Sequence, residues 1–330
     1  MKKKIIHPEY PTRHCSVSEL AKASGVSPAT VSRVFNNHPY VAPEIRQRVR
    51  DAACRLGYKP RLAADALHAA VMLDRMEESQ MQSYLNKMLC VLAESCERHN
   101  VMLEIIGSNS WHLLNENFIR AAICLKRVLS PEALREAPNT HFVCMNFAYP
   151  GCASIMSDDA QGIELAFQYL RERGHRRIAL VLPCNDPNGS GKRRFNSFAS
   201  LVRTAQPGDP MDWTVFLDDA PVERVALLVR AQKPDAFLIA GEDMALQVNY
   251  ALSLLNLRIP DDLSIVAYEN FQASRYMTPP HTTVMQDFEN LAERAVECVT
   301  EILSNKLNPE SANVLLPNRL IERDSVRCRN

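Results

Sequence analysis

Ser16-Val-Ser-Glu-Leu-Ala-Lys-Ala-Ser-Gly-Val-Ser-Pro-Ala-Thr-Val-Ser-Arg-Val-Phe-Asn36 reads as two short helices around a tight turn. Ser16 and Glu19 have the spacing of a capping box, in which the hydroxyl takes an orphan N–H and the carboxylate reaches back. Gly25 stops the first helix, and Ser27 followed by Pro28 supplies a cap and a first-turn residue for the second. Leu20, Ala21, Val26, Val31 and Val34 can converge on a small core, which leaves Pro28, Ala29, Ser32, Arg33 and Asn36 facing outward. A unit of this kind is suited to laying its second helix in the DNA major groove, with residues near that helix's N-terminus at base edges.

The charge distribution agrees. The 330-residue chain has a formal net charge of zero. Residues 1–62 nevertheless hold twelve Lys/Arg against four Asp/Glu, so an excess of eight positive charges at the N-terminus faces an equal negative excess in the remainder. A basic head on an acidic body fits a polyanion-binding module joined to something that stays off the polyanion. A solvated tail accounts for Lys2–Lys4, but Arg46, Arg48, Arg50, Arg55, Lys59 and Arg61 lie within patterned segments.

The third helix of the head starts at Pro43, is apolar at Ile45, Val49, Ala52, Ala53 and Leu56, and stops at Gly57. The expected divisions are a basic extension over 1–15, the helix-turn-helix head over 16–59, and a short Ala-rich helix over 60–70. That last helix is marginal alone in water and suited to folding on its target. From residue 71 to 330 the text alternates helices with short buried strands. Strands are expected at Val101–Ile106, Ala122–Leu125, Phe142–Met145, Ile178–Leu182, Thr214–Leu217, Ala236–Ala240 and Ser264–Tyr268. Such alternation gives an α/β body of two doubly wound parallel-sheet subdomains behind an all-α head.

Ten cysteines include no CxxC pair, so reduced, mostly buried thiols are expected rather than a disulfide or metal framework. No apolar run approaches the length of a membrane span, and Met1-Lys-Lys-Lys has no apolar segment behind it. A cytoplasmic location without membrane contact is therefore the expectation. No strand is followed by a Gly-rich dinucleotide or triphosphate loop, so no cofactor is expected. A nucleophile elbow, HExxH or paired catalytic carboxylates are also lacking, which argues against an enzyme.

Gly25-Val-Ser-Pro-Ala-Thr-Val-Ser-Arg-Val34 and Leu56-Gly-Tyr-Lys-Pro60 resemble the lactose-repressor/galactose-repressor family of bacterial transcription regulators. Ser157-Asp-Asp-Ala-Gln-Gly162, Gly174-His-Arg-Arg-Ile178, Ile259-Pro-Asp-Asp-Leu-Ser264, Thr278-Pro-Pro-His-Thr-Thr-Val284 and Leu315–Arg323 add to the resemblance in order. It implies a core of periplasmic-binding-protein type, with an effector held between two subdomains and crossings near 172–176, 280–286 and 316–318. It also implies a DNA operator as partner and, with the chain ending at Asn330 after the last strand pattern, a homodimer rather than a tetramer.

By that resemblance Pro28, Ala29 and Arg33 read bases, where Pro28 serves equally as a helix start. Ser16, Ser27, Thr30, Ser32, Asn36 and Tyr40 meet phosphates, with capping as an equal role for Ser16 and Ser27. Leu67 corresponds to a leucine that wedges the minor groove, or else packs against its partner copy. Asp65 stands where a basic or amide residue is usual. For the effector the resemblance points to Asn146, Arg194, Trp213, Glu242 and Glu269, a set suited to a sugar or sugar acid. Trp213 can instead be packing, and the two glutamates solvated loop ends. Residues 71–84 are too polar for the family's first strand, so either the strand shrinks to Val71–Leu73 or the sheet loses an edge. A regulator without a small-molecule effector stays open on that account.

Overall fold

The computed structural model describes residues 15–35, 40–58, 67–73, 83–107, 109–117, 119–125, 129–183, 189–218, 220–241, 244–269, 272–304, 306–307 and 312–329. The head consists of α1 (Val17–Ser24), α2 (Pro28–Phe35) and α3 (Pro43–Leu56). Leu20, Ala21, Val31, Val34, Val49, Ala52, Ala53 and Tyr58 form its core. Ser16 and Glu19 close the capping box on α1, while Gly25 and Gly57 end α1 and α3 at left-handed φ values of 64° and 61°. These are conformations that a side chain disfavours. Arg50 of α3 reaches the body, where Nη1 lies 2.9 Å from Glu116 Oε2.

The body has two six-stranded sheets. The first uses β1 (Leu67–Leu73), β2 (Val101–Gly107), β3 (Ala121–Leu125), β4 (His141–Met145), β5 (Ala153–Ser157) and β11 (Asn313–Leu316), in the order β11-β5-β4-β3-β1-β2 and parallel throughout. The second uses β6 (Ile178–Pro183), β7 (Thr214–Leu217), β8 (Ala236–Ile239), β9 (Ser264–Glu269), β10 (Thr282–Met285) and β12 (Arg319–Ile321), in the order β12-β10-β9-β8-β6-β7. Only β12 runs antiparallel to its neighbour there.

Both faces of each sheet are covered, as parallel strands require. In the first subdomain α4 (Ser83–Arg98) and α11 (Phe288–Leu303) bury Val71, Ile123, Val143 and Met145. Its opposite face packs Met72, Ala122, Cys124 and Phe142 against Trp111, Leu114 and Ala133, which belong to or adjoin the short helices α5 (His112–Glu116) and α6 (Pro131–Glu136). In the second subdomain the helices are α7 (Asp159–Glu172), α8 (Ser190–Ala205), α9 (Pro221–Gln232) and α10 (Met244–Leu254).

Two expectations need correcting. Residues 67–70 are not helical. They open β1, which keeps seven residues by extending toward the N-terminus, and it pairs on both sides, Leu67 with Val101 and Ala69 with Ala121. The strand neither shrinks to Val71–Leu73 nor leaves the sheet. Alanine-rich helix propensity is a weak prior, and pairing with two neighbouring strands outweighs it here. Residues 59–66, which include the rest of the expected Ala-rich helix and Asp65, lie outside the described residues.

The first crossing between subdomains also lies elsewhere. It falls at 157–159 rather than 172–176, because Ile163, Ala166, Phe167 and Leu170 of α7 pack into the second subdomain's core. The later crossings fall between β10 and α11 and between β11 and β12.

Candidate DNA-binding face and effector cleft

On the head, Pro28, Ala29, Ser32 and Arg33 occupy the exposed side of α2, while Val31 and Val34 on the other side are buried. Ser27 Oγ accepts the Thr30 N–H at 3.1 Å and lies 2.9 Å from Thr30 Oγ1, so Ser27 caps α2. Beyond Arg33 is an open hollow of about 470 Å³ lined by Thr30, Arg33, Tyr40, Val41, Ala42 and Ile45. Tyr40 is 90 % exposed at its edge. Asn36 lies outside the described residues. Leu67 is half-buried at the start of β1 and packs on the first subdomain's core, which is no position for a minor-groove wedge.

The cleft sits where the carboxyl ends of the first-sheet strands meet α7 and α8. Asn146 follows β4 at a left-handed φ of 57°. Its Nδ2 donates to the Tyr84 hydroxyl at 2.7 Å, and its Oδ1 accepts the Ser157 N–H at 2.8 Å. Tyr84, from the first turn of α4, is held in turn against Phe288. Across the gap, Arg194 Nε donates to Asp159 Oδ1 at 2.7 Å and Nη1 to the Ala240 carbonyl at 3.0 Å. The guanidinium carbon of Arg194 stands 4.1 Å from the centroid of the Tyr268 ring. Burial pushes the Tyr268 hydroxyl well above its ordinary pKa, although the Arg194 charge opposes this. Arg193 Nε lies 2.9 Å from Asp159 Oδ2, and Arg193 Nη2 donates to the Asn146 carbonyl at 2.9 Å.

Small and amide residues let these parts approach closely. A Cβ on Gly162 would fall 1.7 Å from the Tyr268 hydroxyl oxygen. Asn318, in the third crossing, accepts from Ser157 Oγ at 2.7 Å and donates to the Asp158 carbonyl at 2.6 Å, stitching two crossings together.

Asn146 and Arg194 are thus brought to one place. Trp213 is not. It lies at the amino end of β7, 4 % exposed in the second subdomain's core, with Nε1 donating to the Pro207 carbonyl at 2.7 Å. In parallel sheets ligands meet the carboxyl ends of strands, so this tryptophan is on the wrong side for the cleft. Glu242 lies outside the described residues, and Glu269 closes β9 by pairing with Met285. The sequence reading missed Asp159, Arg193 and Tyr268. The adjacent charge pairs Asp158-Asp159 and Arg193-Arg194 were the available signal for the first two.

A three-helix head of this type ahead of two parallel-sheet subdomains joined by three crossings defines a DNA-binding regulator with a ligand-binding-type core. Residues 16–61 match the family described as bacterial regulatory proteins, lacI family, and residues 167–326 match the periplasmic binding protein-like domain. The chain therefore carries a lacI-type DNA-binding head and a periplasmic-binding-protein-like domain, and its relatives are transcriptional repressors rather than enzymes. It is 29 % identical to the HTH-type transcriptional repressor PurR of Klebsiella pneumoniae subsp. pneumoniae, covering 94 % of this chain and 96 % of that one. The lac repressor dimer bound to operator and the anti-inducer ONPF superposes with a TM-score of 0.67 at 21 % identity, over 96 % of this chain and 100 % of that one. A complex of the transcriptional regulator CelR with cellobiose gives a TM-score of 0.69 at 21 % identity, over 94 % and 100 %. No helix among the described residues is long and apolar enough to cross a membrane.

Proposed function

We propose that the protein binds a two-fold symmetric operator as a cytoplasmic homodimer, and that a small polyhydroxylated metabolite in the cleft changes that binding. The observation that carries the DNA half is the exposed row Ala29, Ser32 and Arg33 on α2 of a strongly basic head. Arginine is the natural bidentate partner of guanine O6 and N7, and Ala29 can meet a thymine methyl. Thr30, Ser32, Tyr40, Ser16 and Ser27 are assigned in this reading to flanking phosphates, as is Asn36 on its sequence position alone. Pro28 adds to base reading while starting the helix.

Support for a second copy comes from exposed apolar side chains. Leu246, Tyr250 and Leu254 recur every four residues on α10, and Met102 and Ile105 stand out on the edge strand β2. Two heads related by a dyad read a palindrome. The effector class is argued from Asn146 and Arg194, whose amide and guanidinium suit hydroxyl and carboxylate groups, and from the cellobiose held by the CelR neighbour.

A regulator with no small-molecule effector is the second reading. It is favoured by the way Asp159 already engages both cleft arginines. Selection from a random duplex pool by the purified chain, with its mass measured by sedimentation, tests the first reading. Enrichment of a palindrome by a dimer is expected, and failure to enrich any sequence overturns it. Titration calorimetry against sugars and sugar acids separates the two readings, because heat with no member of the panel favours the second.

A further inference from the structure

Arg193 and Arg194 are adjacent on α8 and share one carboxylate, yet they face different partners. Arg194 stays within the second subdomain, on Asp159, the Ala240 carbonyl and the Tyr268 ring. Arg193 spans the gap. Its Nη2 is 2.9 Å from the Asn146 carbonyl of the first subdomain and 2.6 Å from Asp159 Oδ2 at the start of α7. The receiving end is rigid, because the Asn146 side chain is fixed by Tyr84 and by the Ser157 N–H, so its carbonyl is held in place. The donating end is reachable, since the Arg193 side chain is 33 % exposed whereas that of Asp159 is 1 % exposed.

We propose that Arg193 is a built-in clamp, a positioning residue that holds the two walls of the cleft together without a ligand and that an effector must displace. A planar guanidinium with several donors suits such a bridge because it satisfies a carbonyl and a carboxylate at once. Removing it leaves Asp159 paired with Arg194, so the bridge is lost without stranding a buried charge. A ligand that shifts the cleft must then compete for the Asn146 carbonyl and Asp159, and it acts only through its unequal affinity for the clamped and released states. The inference rests on reading the cleft as the regulatory site, and its test reads the cleft directly.

The test uses the full-length protein with Arg193→Ala, and with Arg193→Met to keep the packing of the stem. Small-angle scattering and hydrogen exchange at the Ser157 amide are followed with and without millimolar methylguanidinium. Both variants are expected to expand and to exchange faster at Ser157, with the melting temperature close to that of the parent. Methylguanidinium restores compaction in Arg193→Ala, whose vacated space it fills, and not in Arg193→Met. Operator affinity is expected to change by at least about fivefold in the released state, the lower end of ordinary allosteric coupling. Scattering and exchange identical to the parent overturn the proposal. So does a change that methylguanidinium leaves untouched in Arg193→Ala, since that marks a packing role. If the clamp signature appears but no DNA sequence is ever selected, the proposed function falls and the clamp stands.

Discussion

The head and the cleft both carry arginines in the positions that matter, and they treat them in opposite ways. Arg33 lies on the outside of a core of eight buried residues, exposed on α2. Arg194 lies inside, 7 % exposed, on a carboxylate that is itself 1 % exposed. The difference separates recognition from architecture. A side chain held out to solvent contributes almost nothing to folding until its target arrives, whereas a buried ion pair becomes a liability once one partner is removed. Substitutions in the head should therefore change DNA binding at constant stability, and removal of a fully buried partner in the cleft, unlike that of the partly exposed Arg193, should change stability first.

Asp159→Ala is the strongest test of that contrast. It takes from the buried Arg194 the carboxylate that lies 2.7 Å from its Nε, and breaking a buried pair in this way costs about 3–5 kcal/mol. Denaturant unfolding followed by tryptophan fluorescence should register the loss in the body, which contains both tryptophans, Trp111 and Trp213. A loss below about 1 kcal/mol, the range of exposed pairs, breaks the comparison.

His281 sharpens the contrast through pH. It is fully buried. Asn249 Nδ2 lies 3.2 Å from its Nε2, and its Nδ1 has no partner. Burial, with Arg323 adding to it, lowers its pKa to about 4. The unfolded chain takes up this proton near the ordinary value of about 6.5, before the folded chain does, so stability falls as the pH drops from about 6.5 to about 4. The loss attributable to this histidine is about 2–3 kcal/mol at the acid end. His281→Leu should flatten the melting temperature over that window. An unchanged slope removes His281 from the acid response; Glu293, whose pKa is pulled down to about 2 by hydrogen bonds from His99, Arg98 and Ser95, acts at lower pH, between about 4.5 and 2.

The same contrast explains what the sequence made legible. Head and parallel-sheet body could be read because caps, Gly stops and short apolar runs are local signals. α1 and α3, which end at Gly25 and Gly57, carry them plainly. The errors arise where the answer depends on distant partners. Leu67–Ala70 has helical composition and becomes strand because β2 and β3 lie on either side of it. Trp213 has the composition of a sugar platform, but the direction of β7 puts it in the core. Asp159 and Arg193 were visible only as charge pairs, because nothing local says that a crossing at 157–159 brings α7 against α8. The family match to the body begins at residue 167, so β1–β5 of the first subdomain and the departures at 71–84 lie outside it, while α11 and β11 fall within it.

Arg33→Ala is the head's counterpart to Asp159→Ala. A bidentate arginine–guanine contact supplies about 1–3 kcal/mol of discrimination. The variant should bind operator and random duplex almost equally, with residual salt-sensitive affinity and an unchanged melting curve. Binding-site selection repeated with the variant is the measurement, and an unaltered preferred sequence removes Arg33 from base reading.

Ser16, like Ser27, is a head residue that both roles claim, and the effect there is smallest. Its hydroxyl accepts the Glu19 N–H at 3.2 Å, and its own N–H donates to Glu19 Oε2 at 2.7 Å, so it is a cap whatever else it does. Ser16→Ala should cost the head about 1 kcal/mol, and Ser16→Asn, which retains a capping acceptor, only a few tenths. The head stays folded in both, so any operator affinity lost beyond the shared structural effect belongs to a contact with phosphate. Hydrogen exchange on α1 amides, set beside operator titrations of both variants, apportions the two. Affinity that follows capping strength leaves Ser16 as architecture, whereas equal loss in both variants makes it part of the recognition surface.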